Sequence, residues 1–290
     1  MRGVLNVDKP SGITSFDCIR RLRAVLRPDR PALGHAGTLD PMASGVLLVL
    51  FGPATRASRW LMGSDKEYEA VVQFGARTDT DDVTGTVVEE QPAPGLDRAE
   101  LAALLAGFTG EIEQVPPRFT ALKQGGVAQH RLARAGRPVE PKPRTVAVRE
   151  IVLLDWQPPR LRLRCRVSSG FYVRSLARDI GSRAGSCATL AGLVRTASGR
   201  FRLADAVALD NLDRAGIEHA LVPVVDALAG LARVEVAPEL ARDLLQGRPI
   251  PAPAGTPGGT VLCLNRELDF LGVCDCRDDA LHPKRLIHGN

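Results

Sequence analysis

No stretch of this chain approaches the ~18 uninterrupted apolar residues of a membrane-spanning helix; the apolar run from Val46 to Phe51 stops after six. Charge arrives early, at Arg2, Asp8 and Lys9, which leaves no room for the apolar centre of a secretory signal, so the expected location is the cytoplasm. Cysteine is sparse. The six (Cys18, Cys165, Cys187, Cys263, Cys274, Cys276) form neither a dense disulfide framework nor paired CxxC motifs. Cys263, Cys274 and Cys276 with His282 or His288 lack the spacing of zinc knuckles, and Cys263 and Cys274 lie in apolar, strand-like runs. Reduced thiols, partly in the core, and no metal are the expectation. Internal repeats and low-complexity tracts are missing too. Tyrosine occurs twice, at Tyr68 and Tyr172, each in or beside a strand-like segment and each near charge.

What is present fits an ordinary globular protein. The 290 residues are 44% hydrophobic and 24% charged, enough for one large domain or two. The net charge of +5 is modest, but the 38 basic residues are mostly arginine, whose fork suits phosphate. They cluster at 20–30, 131–149, 160–183 and 195–202. An anionic partner follows, nucleic acid first, although a solvated arginine-rich surface would look the same in charge alone.

Residues 3–8 read as a short strand ending in the turn Lys9-Pro10-Ser11-Gly12. Thr14 or Ser15 caps a helix to about Val25, with Phe16, Ile19, Leu22 and Leu26 near helical spacing and Pro28 beyond. Gly34 to Gly45 is a loop of glycine and small polar residues around one carboxylate, Asp40, and it runs into the buried-strand pattern Val46–Phe51. Pro41 biases Asp40 toward extended backbone. The same residues also suit an ordinary turn. Residues 54–62 read as a short helix, Glu67–Phe74 as a strand, and Thr78–Gly85 as a polar, solvated turn without EF-hand spacing. Arg98–Gly107 reads as a helix, and 113–144, with five prolines, as an excursion from the core. Ile151–Leu154 and Leu161–Val167 pair as strands. In the second, Leu161, Leu163, Cys165 and Val167 share one face and Arg162, Arg164 and Arg166 the other, giving an antiparallel sheet with a dry and a basic side. Ser175–Ala184 reads as a helix with Gly185 at its end. After about Leu231 the chain becomes turn-rich, with strands at Val261–Leu264 and Phe270–Cys274.

Gly34-His35-Ala36-Gly37-Thr38-Leu39-Asp40-Pro41-Met42-Ala43-Ser44-Gly45-Val46-Leu47 resembles the GHxGxLDPxAxGxL signature of the TruB family of tRNA pseudouridine synthases. Asp8–Gly12 resembles that family's Lys-Pro motif, Lys66-Glu67-Tyr68 its Lys-x-Tyr strand, and Arg77–Gly85 its polar loop. Gly170–Leu176 resembles its Gly-x-Tyr-x-Arg motif, and Leu190–Arg195 its Leu-x-x-Leu-x-Arg. Order and spacing agree over roughly residues 1–230.

The resemblance implies isomerisation of uridine to pseudouridine at position 55 in the T-loop of tRNA, without metal or organic cofactor. It implies an α/β (α+β) pseudouridine synthase catalytic fold, residues 1–232, around a mixed, mainly antiparallel sheet. An RNA-gripping insertion is expected at 113–144, and a small C-terminal β-barrel of PUA type at 233–290. Asp40 would be the nucleophile, toward either the sugar C1′ or the base. Arg174 would hold it ionised. Tyr68 would stack on the base near C5, and Tyr172 and Leu193 would complete the base pocket. His35 would stand where the flipped base has left. Arg118, Lys123, Arg131, Arg134, Arg137 and Lys142 would meet phosphates. Phe119 stands where the family often has tyrosine, and His130 where it often has an aromatic nearby. The expected partner is the T-arm of tRNA, with no membrane, no obligatory protein partner and a monomeric chain. A guide-RNA-dependent synthase of rRNA, or an RNA-binding protein that folds tRNA, are the alternatives.

Overall fold

In the computed structural model, which describes residues 1–120, 123–124, 127–128, 141–210, 212–267 and 269–286, β1 (Gly3–Lys9) is followed by α1 (Ser15–Val25), β2 (Leu33–His35) and β3 (Ser44–Phe51). A 3-10 turn, Gly52–Ala57, leads into α2 (Ser58–Gly63), then β4 (Lys66–Phe74), β5 (Ala76–Thr78), β6 (Val87–Glu90), α3 (Arg98–Ala106) and β7 (Gly110–Gln114). The short pair β8 (Lys123–Gln124) and β9 (Val127–Ala128) precedes β10 (Arg144–Gln157), β11 (Arg160–Val167), α4 (Val173–Arg183), β12 (Ala188–Ser198), β13 (Phe201–Arg202) and β14 (Val207–Ala208). The main sheet runs β14-β1-β3-β12-β4-β11-β10-β7, with β2 beside β3 and β13 beside β12. Only β1 with β14 and β3 with β12 are parallel; the other pairs in this sheet are antiparallel.

Local chemistry explains most of these elements. Thr14 caps α1 in a capping box with Asp17, and Asp97 does the same for α3 with Glu100. The apolar run in β3 is continuous because both of its faces are covered. Leu47, Val49 and Phe51 join the core beneath α1, α3 and α4, while Val46, Leu48 and Leu50 join a second core on the far side. β4 and β11 alternate instead. Leu161, Leu163, Cys165 and Val167 are fully buried, while Arg160, Arg162 and Arg166 are exposed.

Three elements differ from the sequence reading. β10 is far longer than Ile151–Leu154, because it pairs with both β7 and β11. Its two bulges, at Val148/Glu150 and Leu153/Asp155, break the period that would have revealed it. α4 begins at Val173 rather than Ser175, which puts Arg174 in its first turn. Residues 54–62 divide into 3-10 and α segments.

Arg144 pairs with Gln114 across β7 and β10, so the excursion leaves the sheet between adjacent strands at its edge. Arg118 and Lys142 are exposed. His130, Arg131, Arg134 and Arg137, and the side chain of Lys123, lie outside the described residues.

Short helices α5 (Arg214–Ala220) and α6 (Val224–Ala227) lead to β15 (Ala232–Glu235), α7 (Pro238–Leu245), β16 (Ile250–Pro251), β17 (Gly259–Leu264), β18 (Phe270–Arg277) and β19 (Ala280–Leu286). These strands form a curled half-barrel in the order β15-β17-β18-β19-β16. It has a core of its own, which includes Cys263, Cys274 and Cys276, all buried free thiols. Leu262 and Val273 turn outward to join the far-side core against Val46, Leu48 and Leu50. Among the described residues no helix is long and apolar enough to cross a membrane.

Candidate active site

The loop between β2 and β3 is held from below by the turn after β1. Ser15 Oγ accepts from Leu39 N at 2.9 Å and donates to Leu39 O at 3.2 Å. Gly12 N donates to Pro41 O at 2.8 Å, and Ser11 Oγ to Met42 O at 2.8 Å. Lys9 is wholly buried. Its ammonium caps the carbonyls of Pro10 (2.9 Å) and Ile13 (2.7 Å) and reaches Pro41 O at 3.4 Å; burial pushes its pKa down, against the nearby Asp40 charge. From above, Arg195 is 1% exposed and donates to Val46 O (2.6 Å) and Gly37 O (3.1 Å). Gly45 opposes Arg195 where β3 and β12 meet. At φ +100°, a Cβ there would lie 2.3 Å from the Arg195 carbonyl oxygen, so only glycine lets the strands close beneath the loop.

Asp40 and Arg174, 134 residues apart, meet at this point. Arg174 Nε lies 2.9 Å from Asp40 Oδ2, but off the N–H axis, so the contact is ionic rather than a straight hydrogen bond. Nη2 donates to Oδ1 at 3.4 Å. The guanidinium is aimed by two backbone carbonyls, Thr80 O at 3.1 Å and Phe119 O at 3.0 Å. The Arg174 side chain is 6% exposed and that of Asp40 34%. Although a third of the Asp40 side chain reaches solvent, burial raises its pKa above the ordinary carboxylate range; Arg174 opposes that shift and Asp82 adds to it. A carboxylate with one cationic partner, one open side and a raised pKa is equipped to form and release a covalent bond.

The Thr78–Gly85 loop is not the solvated turn its composition suggested. Asp81 and Asp82 are 6% and 5% exposed. The loop is sealed onto β12 through Leu190 N to Asp81 O and Val83 N to Leu190 O, both 3.0 Å. Asp82 Oδ1 accepts from Thr80 Oγ1 and Thr84 N, each at 2.9 Å, and its Oδ2 lies 3.8 Å from Arg174. Asp81 pairs with Arg178 one helical turn beyond Arg174, at 2.9 Å. Burial pushes the Asp81 pKa up, and Arg178 pulls it back. Polar composition suits exposure, but here the polar groups satisfy one another and two arginines.

Tyr172 is the N-cap residue of α4, two positions from Arg174. Gln114, fully buried, clasps its backbone from both sides: Tyr172 N donates to Oε1 (2.8 Å) and Nε2 donates to Tyr172 O (3.0 Å). Burial raises the pKa of its hydroxyl, which is hydrogen-bonded with Thr120. Arg144 lies 5.7 Å from its ring. Tyr68 and Leu193 stand on adjacent strands, each 9% exposed, in the same core as Leu39 and Val173, the residues beside Asp40 and Arg174. His35 pairs with Val49 at the end of β2; burial, and then Arg195, lower its pKa. Lys9, Ser15, Gln114 and Asp82 belong to the site only by the fold. A lysine before Pro-Ser-Gly and an acidic loop were visible signals for two of them, while nothing local marks Gln114. Among the described residues no cluster of His, Cys, Asp or Glu is placed to hold a metal ion.

The family description "TruB family pseudouridylate synthase (N terminal domain)" matches residues 23–173, and "Pseudouridine synthase II TruB, C-terminal" matches residues 232–287. A protein of Gloeobacter violaceus named tRNA pseudouridine synthase B is 44% identical, covering 98% of this chain and 98% of its own. One of the same name from Azoarcus sp. is 43% identical, covering 98% of this chain and 94% of its own. Among solved structures, a Cbf5-Nop10-Gar1 complex is similar with a TM-score of 0.76 at 24% identity, over 99% of this chain and 85% of that one. An H/ACA RNP bound to a substrate RNA containing 2′-deoxyuridine gives 0.74 at 22%, over the same shares. At those identities the two structures speak for the fold alone.

Proposed function

The chain belongs to the TruB family of pseudouridylate synthases, and we propose that Asp40 is the nucleophile with which it isomerises a uridine at position 55, in the T-loop of tRNA. It is an isomerase that converts uridine to pseudouridine in tRNA, in line with the name tRNA pseudouridine synthase B that its relatives carry. The reading is carried by one observation: an accessible carboxylate on a clamped turn, in contact with a buried arginine whose other nitrogens are committed to backbone.

A uridine inside a folded loop has to leave its stack, at a cost of a few kcal/mol. Once in the site, the N1–C1′ bond breaks, the uracil turns, and C5 bonds to C1′ while the C5 proton leaves and N1 gains one. Substrate and product are isomers. Asp40 forms and then releases the covalent bond to the nucleoside. Arg174 keeps the carboxylate ionised against the burial that favours its neutral form. Tyr68 packs against the base near C5, Tyr172 and Leu193 close the pocket, and His35 fills the space the base leaves in the loop. Arg144, beside Tyr172, supplies positive charge at the pocket edge. We place this enzyme in the cytoplasm, working as a monomer on the T-arm without an obligatory protein partner.

The test is purified protein with unmodified tRNA, without added metal or guide RNA, and pseudouridine mapped by carbodiimide primer extension. Modification appears in the T-loop, and Asp40→Asn abolishes it while tRNA affinity stays within about tenfold. Full activity in that variant would refute the nucleophile. Modification that requires a guide RNA would favour the rRNA-directed alternative.

A further inference from the structure

Helix α1 carries more positive charge than its position in the fold uses. Cys18, Ile19, Leu22 and Leu26 bury one face. The opposite face carries Phe16, Arg20 and Arg23, spaced four and three residues apart as one exposed stripe, and Arg27 is exposed in the turn that follows the helix. Phe16 is 56% exposed, and the Arg23 guanidinium lies over its ring at 5.9 Å. Beyond the helix, Arg30 turns back toward the stripe. Arg20, Arg23, Arg27 and Arg30 line one groove of about 590 Å³ with Pro31 and Ala32.

The nearby carboxylates are already committed. Asp17 takes Thr14 and Arg20, Asp210 takes Arg21 at 2.9 Å, and Asp29 takes Arg214. Arg23, Arg27 and Arg30 have no carboxylate partner among the described residues. Three permanent positive charges converging on one concave surface repel one another unless an anion lies between them. Planar forks around an exposed aromatic ring suit phosphate and nucleotide.

We propose that this groove binds the phosphate backbone of the substrate RNA, as a docking surface separate from the Asp40 pocket. The proposal rests on the reading of the chain as a tRNA-modifying enzyme. Its direction comes from Ser15, the first residue of α1, which is bonded to Leu39 beside Asp40. From Ser15 the helix rises ~1.5 Å per residue, so Arg23, in its last turn, stands ~12 Å along it, and Arg27 follows in the turn after the helix.

The experiment measures tRNA binding and single-turnover modification across a salt series for four full-length proteins. These are the wild type, Arg23→Gln/Arg27→Gln/Arg30→Gln, the single variant Arg27→Gln, and the charge-matched control Arg160→Gln/Arg162→Gln/Arg166→Gln on the open sheet face. The groove variant is expected to bind tRNA about tenfold more weakly at moderate salt, with a log–log salt slope shallower by roughly two to three and the rate at saturating enzyme within about twofold. The single variant Arg27→Gln should lose about one unit of slope, which keeps the test valid if the triple variant is poorly folded. Unchanged affinity and slope in a folded groove variant overturn the proposal, as does an equal loss in the control. Retained tRNA affinity with lost binding to phosphatidylglycerol vesicles would also overturn it, assigning the groove to a lipid surface. If wild-type protein fails to modify tRNA, the functional reading fails; if it modifies tRNA and the groove variant binds normally, only the groove fails.

Discussion

Two loops deliver a carboxylate to the same arginine, and they do so in opposite ways. Asp40 rides on a turn clamped through its backbone by Ser15, Gly12, Lys9 and Arg195, and its oxygens meet Arg174 and open space. Asp82 is buried, and its own loop supplies Thr80 and Thr84 as hydrogen-bond donors to one oxygen. One loop spends its hydrogen bonds on the backbone and leaves the carboxylate free, while the other spends them on the carboxylate itself. Hydrogen-bond saturation therefore separates a carboxylate able to react from one that serves as structure, although both lie near Arg174 and both sit in glycine-bearing polar loops.

Removing each carboxylate in turn should give opposite signatures. Asp40→Asn should lower the rate of pseudouridine formation by more than about 10⁴ while leaving the unfolding midpoint near that of the wild type; rate and melting measurements on the same preparation check both halves. Asp82→Ala should show the reverse weighting. It strips partners from a buried loop and should cost about 2–3 kcal/mol in urea unfolding, with a smaller activity loss of about tenfold through a displaced Arg174. Equal losses of activity in the two variants would erase the distinction.

Acidity sharpens the contrast further. As the proposed nucleophile, the Asp40 carboxyl must be ionised to act, and its folded-state pKa is raised, chiefly by burial. Single-turnover activity should therefore fall on acidification at a pH above the ordinary aspartate range, and Arg174→Lys, which loosens the opposing cation, should move that limb higher still. By the same sign, protonated Asp40 favours the fold. Its contribution is full below the unfolded pKa and is lost as pH rises through the raised one, so ionising Asp40 opposes stability. A limb at or below the ordinary range would contradict the burial of this group. The smallest effect belongs to Ser15→Ala, which removes the clasp on Leu39. About 1 kcal/mol of stability and a few-fold in rate should be lost, with little change in tRNA affinity.

Much of this was readable from local pattern. Thr14 with Asp17 announces α1, the unbroken run Val46–Phe51 announces a strand covered on both faces, and the alternation through Leu161–Val167 announces a sheet with one dry side. Those signals are properties of a few neighbouring residues and the period of one element. β10 escaped the same logic, because its bulges reset the period twice. The Thr78–Gly85 loop escaped because polar composition does not distinguish solvation by water from solvation by Thr80, Thr84, Arg174 and Arg178.

The chain's own residues dictated that Asp40 would sit in an extended Asp-Pro turn ahead of a buried strand, and the match to a family signature named its chemistry. The identity of its neighbours was settled by topology. β12 lies parallel to β3 and antiparallel to β4, and α4 packs across that seam, so Arg174 is carried over 134 residues of sequence to meet Asp40. The same folding makes Gln114 the clasp of Tyr172 and turns Asp82 into a buried support. Hydrogen-bond partners so distant along the chain leave no periodic trace, because each is chosen by where the sheet brings two backbones together and not by the residues on either side of it.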